Sequence, residues 1–418
     1  MESGSHPRDE TIKAYFDREE VRDDPYPLFR ELRSRKPFYN YAGAWIVLRR
    51  AEAVSILTDA RFIYPEEPAE AGVDDNEWGK VVTGLGDRNL VLKIRQKSAQ
   101  LFRLGLFARN PPDHTRLRPL MMTTFTREKL AGLGLRAQAV ADRLLENLKS
   151  ASKIDVVADL AFPLTLQVIS EALGVTLDPV AMRGWSRDLS ASLAFERNQI
   201  DQERGLFAIA ALAEFLRKTI SARGADSNHG MLDFLVQASA KGQLSTDEVL
   251  ANCNTILLGN LTTQHLIGSG VLLLLKHPEQ LQLLRENPAL LGRAVEEILR
   301  YEAPIPRVRR IAKTDVTISG QTIRKGERVV LLLGSANRDP DLCSDPDRFD
   351  ITRPPVQHLS FGLGIHFCIG AALARMEAAI AFGSLLRHFP RLRLESDEPR
   401  WEKPSLFRGL ETLPVLTD

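Results

Sequence analysis

His358-Leu359-Ser360-Phe361-Gly362-Leu363-Gly364-Ile365-His366-Phe367-Cys368-Ile369-Gly370 is the stretch on which the reading of this chain turns. A glycine-bearing loop runs into Cys368, and Ala371-Ala372-Leu373-Ala374-Arg375-Met376-Glu377 then follows as a run of good helix formers. The thiol therefore falls at a helix N-terminus, where unpaired N–H groups and the macrodipole favour an anion. A cysteine so placed tends toward thiolate, the form that ligates a metal. Gly364 and Gly370 lack Cβ and would let a flat, bulky group lie close to the backbone. Phe361 and Phe367 would shield the sulfur from water. On composition alone, a lone intracellular cysteine reads as a small core hydrophobe.

The spacing overturns that bland reading. Phe361, Gly364, His366, Cys368 and Gly370 form Phe-x-x-Gly-x-His-x-Cys-x-Gly. This decapeptide resembles the haem-ligand signature of the cytochrome P450 enzymes, and five matched positions in so short a run are specific. The resemblance implies haem b (iron protoporphyrin IX) as cofactor, Cys368 as the axial thiolate on its iron, and His366 as a donor to a haem propionate. Such a thiolate donates electron density and promotes O–O cleavage.

Upstream, His114 and Arg118 are four residues apart and share a helix face, with Pro112 and Asp113 suited to the start of that helix. Two donors on one face suit a carboxylate. The resemblance assigns both to a haem propionate and makes Arg310 the second propionate-binding arginine.

Ser245-Thr246-Asp247-Glu248 is a capping box. The apolar run behind it reaches His277 without proline, about 32 residues at ~1.5 Å each, a rod of roughly 48 Å. By resemblance this is the long central helix over the distal haem face. Leu258-Gly259-Asn260-Leu261-Thr262-Thr263 stands where the family usually has Ala-Gly-x-Asp/Glu-Thr-Thr. Gly259 fits the place where the helix makes room for dioxygen, and Thr262 fits the hydroxyl that bonds the bound oxygen. The acid is missing, and Leu261 occupies its place. Protons are normally relayed there by general acid chemistry, which leucine cannot perform. Asn260, and His265 one turn beyond Leu261, are the groups left to organise water, unless His265 only pairs with a neighbouring helix.

Glu297 and Arg300 stand at i,i+3, a spacing that ordinarily gives a surface ion pair worth little. The resemblance joins them to Arg348, in Asp345-Pro346-Asp347-Arg348-Phe349, in a buried structural network that fixes the loop before Cys368. The expected substrate pocket comprises Leu257, Leu261, Ile305, Val308 and Phe407, the last on a hairpin at 406–410.

Elsewhere, Asp24-Pro25-Tyr26-Pro27 is a turn before a helix through Leu32. Ala44 to Leu48 reads as a strand, with a helix from Arg49, and residues 314–330 read as hairpin strands. Residues 64–108 read as an irregular loop, which the resemblance places over the active site. Residues 127–148 and 160–173 have helical spacing, and 183–207, with Trp185, Leu189, Leu193 and Phe195, match the mobile helix pair that closes the family's pocket.

The 418 residues, 44% hydrophobic and 26% charged, suit one soluble domain over 1–418. Residues 1–23 are expected to be a poorly ordered segment. A net charge of +1 gives no general attraction to nucleic acid. Three cysteines (Cys253, Cys343, Cys368) are too few for a disulfide framework, and a polar start without an anchor points to the soluble, bacterial-type, cytoplasmic branch. The implied fold is mainly α with a small β-sheet region, the haem lying between the central helix and the Cys368 helix.

The implied function is a monomeric haem-thiolate monooxygenase that hydroxylates or epoxidises a small organic molecule in secondary metabolism. No flavin or nicotinamide domain fits this length, so a separate ferredoxin and ferredoxin reductase would supply electrons, docking near Arg116 and Arg375. Leu261 also admits C–C or C–N coupling, or peroxide-driven oxidation. A haem sensor without turnover is the reading from another class, against which the long pocket-facing loops and Thr262 argue.

Overall fold

The computed structural model describes residues 10–65, 88–194, 198–223, 230–403 and 405–417. Expectations that fall on residues 1–9, 66–87 and Phe195 lie outside these. The chain starts with α1 (Glu10–Asp17), α2 (Glu19–Asp23) and α3 (Tyr26–Arg35). Residues 10–23 were expected to be poorly ordered. Instead Ile12, Tyr15 and Phe16 recur at helical spacing and bury against Tyr26, Phe29 and Leu32 of α3.

A five-stranded sheet is assembled from distant pieces, β1 (Phe38–Tyr41), β2 (Ala44–Val47), β3 (Phe62–Ile63), β5 (Arg307–Ala312) and β8 (Arg328–Leu332), in the order β1-β2-β8-β5-β3. Only the β2–β8 pairing within it is parallel. Strand alternation explains why β2, and β8 after the exposed Arg328, are apolar. Two faces are covered: Trp45, Val47, Val329 and Leu331 pack toward α4 (Arg50–Thr58), while Ala44, Ile46, Val330 and Leu332 pack toward α1 and α3. The β6 (Val316–Ile318) and β7 (Gln321–Ile323) hairpin precedes β8, as the sequence indicates.

The rest is helical. Residues 88–104, expected to be irregular, form α5 (Arg88–Leu104), whose Ile94, Lys97, Ser98 and Leu101 bury at helical spacing. Then come α6 (Asp113–Met122), α7 (Arg127–Asn147), the short β4 (Lys153–Asp155), α8 (Phe162–Leu173), α9 (Pro179–Ser192), α10 (Gln199–Ser221) and α11 (Met231–Ala240). The central helix, α12 (Thr246–Lys276), has 31 residues and starts at the expected box. Ser245 Oγ accepts from Glu248 N at 3.1 Å, and Glu248 Oε2 accepts from Ser245 N at 2.9 Å. Nearly every residue of α12 beyond its first turn is buried, so its apolar circumference is the axis of the main core.

Three further helices, α13 (Pro278–Glu286), α14 (Leu291–Tyr301) and α15 (Leu333–Ala336), lead to the Cys368 loop and α16 (Ala371–His388). The chain ends in β9 (Arg393–Leu394), β10 (Arg400–Trp401), β11 (Leu410–Thr412) and β12 (Pro414–Leu416). β10 pairs with β11, and β12 lies between β4 and β9. Against α12 pack both α8 and α16, which sets the Cys368 loop facing the middle of the central helix.

Candidate active site

The loop before α16 is folded by its own backbone. Gly362 N donates to Leu359 O at 2.8 Å, Phe367 N to Gly364 O at 3.1 Å, and Cys368 N to Phe361 O at 2.9 Å. Gly362 and Gly364 both have positive φ, +70° and +71°. The expectation for Gly364 needs correction. It does not line the cavity, and a Cβ there would stand 2.6 Å from Leu57 O, so its missing side chain makes room for α4.

Cys368 is accessible, and what it faces is a cavity of about 420 Å³. Burial pushes its thiol up, against the Gly370 N–H and the Arg118 and Arg375 charges that pull it down. The expected bias to thiolate is therefore not set by the protein alone. A coordinated metal would supply it, because coordination deprotonates a thiol.

The basic residues that line the cavity include His114 and Arg118 from α6, Arg310 from β5, and His366 from the loop. The His114 and His366 rings meet edge to face, centroids 4.6 Å apart. Arg118 donates to Phe367 O at 2.8 Å and Arg310 to Arg309 O at 2.8 Å. Neither guanidinium meets a carboxylate among the described residues, and His114 Nε2 has no hydrogen-bond partner. Burial, then Arg310, His114 and Arg118, push His366 down to about 3; burial and then Arg118 lower His114. A cluster this rich in donors and positive charge calls for carboxylates. The Cys368 thiol, these guanidiniums and imidazoles, and the apolar wall fit a haem, whose iron Cys368 would ligate and whose propionates the basic cluster would hold.

The opposite wall is one face of α12. Thr255, Ile256, Gly259, Thr262, Thr263 and Leu266 line the cavity at i, i+3, i+4 and i+7 spacing. Thr262 Oγ1 donates to Gly259 O at 2.9 Å, and a side chain at Gly259 would enter open space. Asn260 also borders the cavity, but its amide oxygen is held by Thr165 of α8 while Nδ2 has no partner. Leu257 and Leu261 do not line the cavity. They stand four apart on the buried side of the helix, out of phase with Thr262. Ile305, Val308 and Phe407 lie where the sequence put them, joined by Phe102 and Phe107.

One group was missed. Glu377 lies fully inside, lines the cavity, and has no partner for Oε2. Burial holds its carboxyl well above the usual range, which favours the protonated acid. The signal was present in its spacing, four residues after Leu373 and four before Ala381 on the buried face of α16.

The structural network is also corrected. Glu297 and Arg300 pair at 2.7 Å and are buried, but Arg348 is exposed and contributes only its carbonyl to Arg300 Nη2, at 3.1 Å. The third side chain is Arg353, whose Nε lies 3.4 Å from Glu297 Oε1. Its reach exceeds that of Arg348 because the turn at Asp350 points it inward, with Nη1 and Nη2 donating to Ser344 O and Asp345 O. Of the two arginines expected near a redox partner, Arg116 pairs with Glu248 at the α12 cap, and Arg375 pairs with Glu296 at 2.5 Å over the Phe361 ring.

A protein-family model described as Cytochrome P450 matches residues 205–413. A biotin biosynthesis cytochrome P450 from Bacillus subtilis is 38% identical over 97% of this chain and 99% of its own length. A 6-deoxyerythronolide B hydroxylase from Saccharopolyspora erythraea is 34% identical, covering 94% and 96%. Among solved structures, P450BioI in complex with a hexadec-9Z-enoic acid-ligated acyl carrier protein superposes with a TM-score of 0.84 at 34% identity, over 96% of this chain and 100% of that one.

Proposed function

This chain belongs to the cytochrome P450 family of monooxygenases, and on that premise we propose that it inserts oxygen into a small, largely apolar organic molecule of the secondary-metabolite or acyl-chain type. The observation that carries the reading is one cavity lined by the Cys368 thiol, the basic cluster, Thr262 and the buried Glu377 carboxyl. When bound there, haem supplies the oxygen activation and electron transfer.

The chain's own residues do the remainder. His114, Arg118, Arg310 and His366 would hold the propionates, and Cys368 would ligate the iron. Phe102, Phe107, Ile305, Val308 and Phe407 exclude water and orient the substrate by apolar contact. Thr262 has one hydroxyl hydrogen, now given to Gly259 O, and can turn it toward the cavity. Glu377 stores the proton that Leu261 cannot provide, at a carboxyl the cavity itself reaches. That arrangement favours oxygen insertion over the coupling and peroxide-driven alternatives.

Electrons come in this reading from a separate ferredoxin and its reductase. Arg375 is 37% exposed even while paired with Glu296, so it remains a contact point on the Cys368 side. The test is turnover under labelled dioxygen with a ferredoxin and reductase, against a panel of polyketide, terpenoid and acyl-chain compounds. One labelled oxygen per product molecule supports the reading; unlabelled coupled product, or turnover only with peroxide, overturns it.

A further inference from the structure

The hairpin that carries Phe407 into the cavity is closed where Glu402 N donates to Gly409 O at 2.9 Å. It rests on α12 at His265. Any Cβ on Gly409 would collide with the imidazole, so the hairpin backbone lies directly on the ring. His265 is 1% exposed, and neither ring nitrogen makes a hydrogen bond among the described residues. Its Nε2 lies 3.6 Å from Oε2 of Glu402, too long for a hydrogen bond but close enough for each group to feel the other's charge. The Phe407 ring follows, its centroid 5.9 Å from that of the imidazole. The hairpin also reaches α9, where Leu406 N donates to Ser190 O at 3.3 Å and Ser405 Oγ meets Ser190 Oγ at 2.7 Å.

We propose that His265 and Glu402 form a proton-balanced pair that seats the hairpin carrying Phe407 on α12 and so sets how far Phe407 reaches into the cavity. The proposal rests on the reading of that cavity as the substrate site. Neither residue borders the cavity, so both act through Phe407 as positioning residues.

The chemistry of the seat follows from its burial. Burial, and then Glu411 of β11, push the Glu402 carboxyl up from 4.5 to about 7, with Arg187 of α9 opposing. Burial pushes the His265 imidazole down from 6.5 to about 4. Lifting the hairpin into water returns both groups to their ordinary behaviour. Seating therefore binds the Glu402 proton more tightly, a gain present at low pH and lost as pH rises from 4.5 through about 7. Seating binds the His265 proton less tightly, a gain present at high pH and lost as pH falls from 6.5 through about 4. Between 4.5 and 6.5 the two slopes cancel. The seated pair is a carboxylic acid beside a neutral imidazole, and the lifted pair is a carboxylate beside an imidazolium, so each state holds the same number of protons.

The test is amide hydrogen exchange on the full-length, haem-loaded protein from pH 5 to 6.5, corrected for intrinsic rates. It follows the Glu402, Leu406 and Arg408 amides, bonded to Gly409, Ser190 and Pro304, with α16 amides as the folding reference. Protection in the unaltered protein is flat with pH. Glu402→Gln leaves the His265 slope, and protection rises with pH by up to ~10-fold per unit. His265→Gln leaves the Glu402 slope, and protection falls with pH by as much. Flat profiles in both variants overturn the proposal. If His265→Gln also loses protection in α16, the Glu402→Gln profile decides alone. The measurement needs neither substrate nor turnover, so its failure is separate from failure of the proposed reaction.

Discussion

His114 and His366 bring their rings edge to face at 4.6 Å, one carried by α6 and the other by the loop that ends in Cys368. That contact locks two chain segments into one basic cluster, with Arg118 reinforcing it by donating to Phe367 O at 2.8 Å. The pair would repel if both rings were charged, and burial keeps both below their ordinary range. On the proposed reading they would act as neutral donors toward propionates, while Arg118 and Arg310 carry the charge.

His114→Ala and Arg118→Ala are each expected to weaken haem retention by roughly 10–100-fold, the loss of a hydrogen bond to a charged group at about 1.5–3 kcal/mol. Haem transfer to an acceptor apoprotein measures this. The carbon monoxide difference band stays near ~450 nm in both, because the thiolate ligand is untouched. Cys368→Ala does the opposite, losing that band.

Arg300→Ala is expected to cost about 3–5 kcal/mol, because it leaves the buried Glu297 charge with only the longer contact to Arg353 as an ion pair. Arg300 has no exposure at all, and it also donates to Asn337 O, Pro346 O and Arg348 O at 3.2, 2.7 and 3.1 Å. Arg353→Ala should cost less, about 1–3 kcal/mol, since Glu297 keeps its bonds to Arg300. Arg348→Ala should stay within about 0.5 kcal/mol, as exposed positions do. Denaturant unfolding of the three variants orders them, and a large effect at Arg348 would reverse the assignment.

Much of this arrangement was legible in the chain itself. Cys368, His366, His114 and Arg118 could be read from local spacing, Arg310 only through the family resemblance, and the Ser245–Glu248 box announces the start of α12. What the sequence hid depends on helix phase and on distant partners. Leu261 was read as a pocket residue, yet the 3.6-residue period turns it away from the side that carries Thr262. Gly364 resembled a haem cradle but serves the Leu57 carbonyl across the fold. Arg353 and Glu402 find their partners over long stretches of chain, and no periodicity reports that. Glu377 was passed over because a glutamate in a helix usually faces water.

Glu377→Gln is expected to lower product formed per electron consumed by at least ~10-fold, since a positioned acid contributes typically 10²–10⁴. The amide matches the carboxyl in shape, so haem content and unfolding should change little. Peroxide released in place of product, together with a changed solvent isotope effect, would mark the lost proton donor. Unchanged coupling would remove Glu377 from the proton path.

Glu296 ties α14 to the Cys368 segment and should shape the acid limit of stability. Burial pushes its carboxyl up, but hydrogen bonds and charge from His358 and Arg375 outweigh burial and bring it down to about 2. Ser360 N donates to His358 Nδ1 at 3.2 Å, so the Nε2 hydrogen is free to point at Glu296, 3.3 Å away. A depressed carboxyl stabilises the fold above its ordinary 4.5 and loses that contribution as pH falls through about 2. Glu296 is 28% exposed, so solvent screens part of the effect. Glu296→Gln is therefore expected to cost about 1–2 kcal/mol at neutral pH, and the variant and the unaltered protein should converge as pH falls from 4.5 toward 2. Denaturant unfolding across that range checks it, and a constant gap between the two curves would show that the pair is not what titrates.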